Sequence, residues 1–423
     1  MKEKDYRPRL IDEQVDFYLS TFGAVSLEGP KWCGKTRTCL RHAKSAFMLD
    51  DPSDNFANRE LARIDVGQAL AGEAPHLIDE WQEVPSVWDA VRHAVDESSA
   101  PGRWLLTGSA TPLPKKTAHS GTGRIGRLRM RTMSLFESGD STGEVSLSEV
   151  CAGRDIGVHR VARPELDEII ALVLRGGWPG VLGKSVDQAR AVAREYIENV
   201  VESDINRLDD VVRDPVKVRK CLRSLARNES TTASDETIRR DTAGDDGSEL
   251  SINTVATYLG AFRRLHLLDD MEPFSPFLRS PARIKQASKR HLCDPSLAAS
   301  LLGATPKMLL RDLRTFGFLF EAMAERDLRV YADALGAALY HYQDYADREI
   351  DAVIQFPDGA WGAFEVKLGM AQVDEAAANL VDLASSFSKN PPRSLAVVVG
   401  LAGAAYRRPD GVYVLPLTAL GPK

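Results

Sequence analysis

Cysteine is scarce in this chain: five in 423 residues, at 33, 39, 151, 221 and 293, an odd number without a C-x-x-C pair. A disulfide framework and a zinc ribbon are excluded, and a reducing, cytoplasmic setting is expected. Long hydrophobic runs are missing too. None approaches the ~20 apolar residues that span a bilayer, so no membrane is expected among its partners. Met1-Lys2-Glu3-Lys4-Asp5 has no apolar core behind it of the kind a signal peptide carries. Excess charge of one sign is also lacking, at a net −6. That excludes a histone-like polycation, while contact with nucleic acid would need only a local basic face. The eight histidines show no metal-ligand spacing, and only 16 of the 54 basic residues are lysine. A lysine inside a motif therefore carries extra information. What remains is ordinary globular composition, 43 % apolar and 27 % charged, with length for two to three domains.

The pattern along the chain predicts an α/β fold. Helical spacing over 9–22 precedes short apolar runs at 24–27, 46–49, 76–78 and 104–107, each followed by a helix or loop. Such alternation reads as an open sheet domain over 1–150. Residues 151–313 read as a helical middle, with a Gly176-Gly177-Trp178-Pro179-Gly180 break and a polar insertion at 228–249 read as loop or partly disordered. Within it, Ser251 is the expected N-cap of a helix that lines Ile252, Val255, Leu259, Phe262 and Leu265 along one face. It reads equally as the second helix of a helix-turn-helix or as a bundle helix. A second α/β domain is expected over 314–423. There a helix at 316–326 precedes strand-like runs at 328–332 and 338–345, then a hairpin, a helix at 373–387 and two more strands.

The strongest motif is Gly29-Pro30-Lys31-Trp32-Cys33-Gly34-Lys35-Thr36, a full G-x-x-x-x-G-K-[ST] between a strand and a helix. Its glycines let backbone N–H groups point at phosphate oxygens, and the next helix adds its positive end. Lys35 supplies a point charge for the β- and γ-phosphates and Thr36 a hydroxyl for Mg²⁺. Trp32 is bulky for such a loop and reads either as a shield or as stacked on a neighbour; Cys33 reads as filler. The apolar run ending in Asp79-Glu80 brings two carboxylates to a strand end, Asp79 for Mg²⁺ and Glu80 as general base. Thr107 or Ser109, after the next apolar run, would sense the γ-phosphate. Arg124, Arg127, Arg129 and Arg131 follow, the last three on one face of a strand. A solvated face is the default for them. The sharper expectations are that Arg124 acts as an arginine finger on a neighbouring subunit's ATP, or that the series binds a nucleic-acid backbone.

Near the other end, Glu365-Val366-Lys367 is the only [DE]-x-K in the chain. Pro357-Asp358-Gly359 reads as a three-residue hairpin loop with glycine in the left-handed position. Centring the hairpin on Asp358 sets Asp351 opposite Glu365, with Lys367 on the same face. Opposed carboxylates are tolerated when a divalent cation or a lysine compensates. Asp351 and Glu365 are therefore candidate Mg²⁺ ligands, with Glu321 a third carboxylate and Lys367 steadying charge in phosphodiester hydrolysis. The alternative is a solvated face neutralised by Lys367.

The stretches GPKWCGKT, LIDEWQEVP, LLTGSAT, GRIGRLRMRTMSLFE, RGGWPG, HLCDPSLAASLLG, GFLFEAMAERDLRVYA and DREIDAVIQ…AFEVKLG run in order along nearly the whole chain. Together they resemble a bacterial and archaeal family of AAA-type ATP-binding proteins with a C-terminal domain of unknown function. The resemblance implies an AAA-type ATPase module, a winged-helix-like middle and a C-terminal domain similar to the PD-(D/E)xK nuclease fold. Lys35, Thr36, Asp79 and Glu80 then serve ATP and Mg²⁺, and Asp351, Glu365 and Lys367 are the nuclease-like set. The expected function is an oligomeric Mg²⁺-ATPase whose nucleotide state controls a nuclease-like domain acting on nucleic acid, DNA foremost. The alternative is a non-enzymatic ATP-driven switch whose nuclease-like fold only binds DNA or protein.

Overall fold

The computed structural model describes residues 6–98, 100–111, 119–209, 211–243, 249–275 and 287–423. Five short segments build the first sheet: β1 (Ala24–Glu28), β2 (Ser45–Met48), β3 (His76–Asp79), β4 (Trp104–Gly108) and β5 (Ile125–Arg129). They pair in the order β2-β3-β4-β1-β5, all parallel. β1, β3 and β4 are apolar almost throughout because helices cover both faces, as parallel sheets require. β4 lies between β1 and β3, so the chain leaves all three at one edge. That edge is where open α/β sheets bind ligands.

The middle is helical: Leu166–Arg175, Val186–Asn199, Pro215–Arg227, Asp235–Asp241 and Ile252–Arg264. Asp235–Asp241 lies inside the stretch expected to be loop, and residues 244–248 of that stretch fall outside the described residues. This helix forms without apolar periodicity. Ser234 caps it through the Thr237 N–H at 3.1 Å, its first turn is acidic and its last basic, and fully buried Ile238 anchors it. Ser251 likewise caps Ile252–Arg264 through the Thr254 N–H at 3.1 Å. Ile252, expected on the apolar face, is exposed, and Tyr258 takes the buried place. A two-stranded ribbon follows, bridged antiparallel at Leu268–Leu292 and Met271–Lys289.

The C-terminal sheet holds seven strands: β7 (His159–Arg160), β8 (Ala338–Gln343), β9 (Glu349–Gln355), β10 (Trp361–Gly369), β11 (Ser394–Leu401), β12 (Ala404–Arg407) and β13 (Tyr413–Pro416). Their order is β7-β12-β13-β11-β10-β9-β8. Side chains alternate between faces. Ala352, Ile354, Phe364, Val366, Ala396 and Val398 join the core that runs through the helical middle. Val353, Ala363, Val397 and Val399 pack with helix Val373–Ser385 on the other side. The run at 328–332, expected as a strand, continues helix Leu313–Ala334. Phe316, Phe320, Met323, Leu328 and Tyr331 keep helical spacing across it, and burial on that face overrides the β-favouring Val330 and Tyr331. Two short strands, β6 (Val145–Ser146) and β14 (Leu420–Gly421), pair in parallel and tie the chain end to the first domain.

Candidate functional site

The phosphate loop closes between β1 and the helix Lys35–His42. Gly34 adopts φ +110°, and an added Cβ would come within 3.4 Å of Arg9 and Met130. Lys35 is buried and donates to the carbonyls of Gly29 at 3.0 Å and Pro30 at 2.8 Å, so its ammonium points into the loop. Cys33 is fully buried as filler. Arg9 clasps the loop from behind, donating to the Cys33 and Arg131 carbonyls at 2.8 and 2.9 Å and to Glu137 at 2.9 Å. No motif marks Arg9 in the sequence.

Trp32 holds a left-handed conformation at φ +68°, costly for any residue but glycine. Its indole lies over Gly180, where a Cβ would sit 2.5 Å away. Trp32 thus packs against a neighbouring segment of the chain. Pro179 approaches Gly34 in the same way, at 3.6 Å from a virtual Cβ, and Lys31 pairs with Asp204 at 2.7 Å. The helical middle thus touches the phosphate loop at three points. Beside them opens a hollow of about 660 Å³ lined by Lys31, Trp32, Arg194, Tyr196, Asn199 and Asp204.

Asp79 and Glu80 end β3 at the same edge. Glu80 is left-handed too, at φ +54°, a conformation that turns the chain sharply after the strand. Both hydroxyls expected as sensors are engaged. Thr107 donates to Asp79 at 2.5 Å and accepts the Glu80 N–H at 2.9 Å, while Ser109 donates to Glu80 at 2.7 Å. Gln82, which the sequence does not single out, bonds both Glu80 and Ser109. Burial pushes the Asp79 carboxyl up to about 6, against the lowering pull of its bonds to Thr107 and Thr36. Thr36 and Thr107 both hydrogen-bond Asp79, an all-oxygen group at the end of the phosphate loop and a donor set that suits Mg²⁺.

The arginine series divides. Arg124 is exposed, pairs with Asp96 at 2.8 Å and immediately precedes β5, at the opposite end of the sheet from the phosphate loop. Arg127 and Arg129 share the exposed side of β5. Arg129 and Arg131 reach across to Asp269, at 3.2 and 2.5 Å, and Arg131 also pairs with Asp333. Arg329 adds a third contact to Asp269 at 2.9 Å. A solvated face does not describe Arg131, which joins three parts of the chain.

In the C-terminal sheet, β9 and β10 pair in the expected register, with Gln355 opposite Trp361 and Ala352 opposite Phe364. Gly359 is left-handed at φ +84°, and the Phe356 N–H closes the loop on the Ala360 carbonyl at 2.8 Å. One step on, Asp351 and Glu365 meet and their side chains hydrogen-bond. There the Val366 N–H turns to the Asp351 carboxylate at 2.8 Å. The register to β8 also shifts between Tyr340 and Tyr342, a bulge that re-aims Asp351. Lys367 donates to Glu365 at 2.6 Å and to Asp351 at 3.4 Å.

Glu321, the expected third carboxylate, lies beside this trio with four charged groups that the sequence does not flag, Lys289, Glu325, His291 and Glu229. Lys289 bonds Glu325 at 2.6 Å and also Glu321, and stands 4.0 Å from Asp351. His291 contacts Glu229 at 3.0 Å and Glu325 at 3.1 Å. Burial raises the Glu365 carboxyl well above its ordinary range, with the Asp351 charge adding to it. Burial also acts to raise Asp351, but the ammonium groups of Lys289 and Lys367 outweigh it and keep that carboxylate ionised. Burial carries Glu321 up to about 8 despite Lys289. His291, held by Glu325 and Glu229 against the opposing effect of burial, rises to about 9. The only signal in the sequence was the rarity of lysine, which Lys289 shares.

Three family models match the chain in order. An AAA domain covers residues 21–138, one domain of unknown function (DUF8612) covers 166–308, and another (DUF4143) covers 316–420. Uncharacterized proteins of Mycobacterium bovis and Mycobacterium tuberculosis are each 26 % identical over 351 residues, 81 % of this chain and 70 % of theirs. A solved Walker-type ATPase of Pyrococcus abyssi aligns with a TM-score of 0.47 at 15 % identity, over 71 % of this chain and 97 % of that one. Residues 21–138 are an AAA-type P-loop module, and the match supports ATP binding. No described helix is long and apolar enough to cross a membrane.

Proposed function

We propose that this chain is a Mg²⁺-dependent ATPase whose nucleotide state governs its helical middle and a C-terminal domain that engages nucleic acid. One observation carries the reading: Thr107 holds the Asp79 carboxylate and Ser109 that of Glu80 at the edge of the sheet where the phosphate loop lies. Residues 29–36 would wrap the triphosphate, with Lys35 turning from the loop carbonyls to the β- and γ-phosphates. Thr36 and Asp79 would hold Mg²⁺, which supplies charge against the phosphate oxygens. Glu80, oriented by Ser109 and Gln82, takes a proton from the attacking water. Arg124 lies too far along the sheet to serve its own subunit. As an arginine finger it works on a neighbour's nucleotide in a homo-oligomer, where such a group contributes large rate factors.

The contacts Trp32–Gly180, Gly34–Pro179 and Lys31–Asp204 support a coupling between nucleotide and middle. Three helices followed by a ribbon support a winged-helix-like unit there, with Asn253, Thr257 and Arg263 on the free face of its last helix. For the C-terminal domain, the nuclease reading assigns Asp351 and Glu365 to a second Mg²⁺ and Lys367 to charge stabilisation. The switch reading, binding without cleavage, is favoured by Lys289, whose ammonium already stands 4.0 Å from Asp351, while Lys367 occupies Glu365.

Phosphate release and ATP binding in wild type, Lys35→Ala and Glu80→Gln test the ATPase. Lys35→Ala should lose binding, and Glu80→Gln should bind but fail to turn over. Normal hydrolysis by Lys35→Ala would refute the site. Plasmid and single-stranded DNA with Mg²⁺ or Mn²⁺, wild type against Asp351→Ala, divide the two readings of the C-terminal domain. Cleavage lost only in the variant favours the nuclease, and binding without cleavage favours the switch.

A further inference from the structure

The acidic cluster of the C-terminal sheet contains a cation from outside it. Lys289 belongs to the ribbon of the helical middle, yet its ammonium lies among Glu321, Glu325 and Asp351 with a side chain only 8 % exposed. A buried ammonium persists where carboxylates pair with it, and three surround this one. Lys367 covers the other side of Asp351 and Glu365. Both oxygens of Asp351 and one oxygen each of Glu321, Glu325 and Glu365 face these two ammonium groups. Among the described residues, no group of three or more His, Cys, Asp or Glu side chains is arranged to hold a metal.

Resting on the nuclease-like reading of this domain, we propose that Lys289 stands where a divalent cation would, so that the cluster is a tethered-cation lock between ribbon and sheet. A metal centre activates water through an open coordination position. An ammonium offers charge and three donors but no such position. It can fasten carboxylates and cannot make hydroxide. The tether is short, because Lys289 and Met271 exchange backbone hydrogen bonds at 2.8 Å in both directions, so withdrawing the cation means moving the ribbon. The ribbon's other root carries Asp269 into Arg129, Arg131 and Arg329. One segment thus places an anion among the arginines next to the P-loop module and a cation among the C-terminal acids.

Mn²⁺ titration of the nucleotide-free full chain, followed by electron paramagnetic resonance, tests this. Wild type, Asp351→Asn and Lys289→Arg are expected to take up equally little metal. Lys289→Met should gain a site at least roughly tenfold tighter, since a carboxylate group stripped of its cation attracts another. Its melting midpoint should rise with millimolar Mn²⁺. A wild-type site that Asp351→Asn abolishes overturns the proposal, and so does a folded Lys289→Met chain without gain. If Lys289→Met does not fold alone, refolding rescued by Mn²⁺ supports the lock, and no rescue counts against it. Plasmid nicking in the same samples reports separately on the nuclease-like reading. A Mn²⁺-loaded Lys289→Met chain that leaves DNA intact removes that reading and keeps the lock.

Discussion

Thr107 donates its hydroxyl to Asp79 at 2.5 Å and, with the same oxygen, accepts the Glu80 N–H at 2.9 Å. One side chain on β4 thereby holds the Asp79 carboxylate and the Glu80 backbone that follows it. Thr107→Val keeps the shape and removes both bonds. A hydrogen bond to a charged group contributes about 1.5–3 kcal/mol, so turnover should fall roughly 10–100-fold. ATP affinity should stay within about twofold, as the loop contacts are untouched. Phosphate release and calorimetry on the same sample separate the two quantities, and an equal loss in both would contradict the assignment.

Gly180 faces the indole of Trp32 with no room for a methyl group. Gly180→Ala should push Trp32 and the loop backbone, weakening ATP binding by about tenfold, a cost of ~1.4 kcal/mol in line with overpacking. Adding Trp32→Ala should restore affinity. Equal affinity in wild type and Gly180→Ala would remove the coupling between middle and phosphate loop.

Asp269 accepts from three arginines, and their charges hold its carboxyl well below the usual range even though burial acts the other way. Asp269→Asn leaves three guanidinium groups around a neutral amide. Breaking a buried ionic group costs about 3–5 kcal/mol. Denaturant unfolding should show that loss, against about 0.5 kcal/mol or less for Lys184→Ala on the surface.

His291 is buried between Glu229 and Glu325, with Lys289 and His341 close by. Its folded-state value of about 9 exceeds the ordinary ~6.5, so the folded chain keeps a proton that the unfolded chain releases. The stabilisation is complete below pH 6.5 and fades as pH rises through 9. Its size is on the order of 3 kcal/mol, from a shift of that extent. Unfolding free energy measured from pH 6 to pH 9.5 should fall in wild type and stay flatter in His291→Gln. Parallel profiles would show that the proton is not held there.

Much of this was legible in the chain. The phosphate loop needs fixed residue types at fixed spacing, and four of the five strands of its sheet are apolar runs. The hairpin carrying Asp351 and Glu365 could be registered because Pro357-Asp358-Gly359 fixes the turn. Helix Asp235–Asp241 was hidden because one buried isoleucine and a serine cap replace the periodic stripe on which pattern reading relies. The run at 328–332 misled because β-branched and aromatic residues also fit a fully buried helix. Lys289, Glu325 and His291 were invisible because their partners are 32 or more residues away in sequence, and pairing at that range leaves no local spacing.

The central claim is that residues 29–36 take up a nucleoside triphosphate. Isothermal titration of ATP into the magnesium-containing chain tests it most directly. Wild type should bind one ATP per chain, and Lys35→Ala, folded to the same melting profile, should give no heat of binding. Silence from wild type, or the same isotherm from Lys35→Ala, would contradict the account.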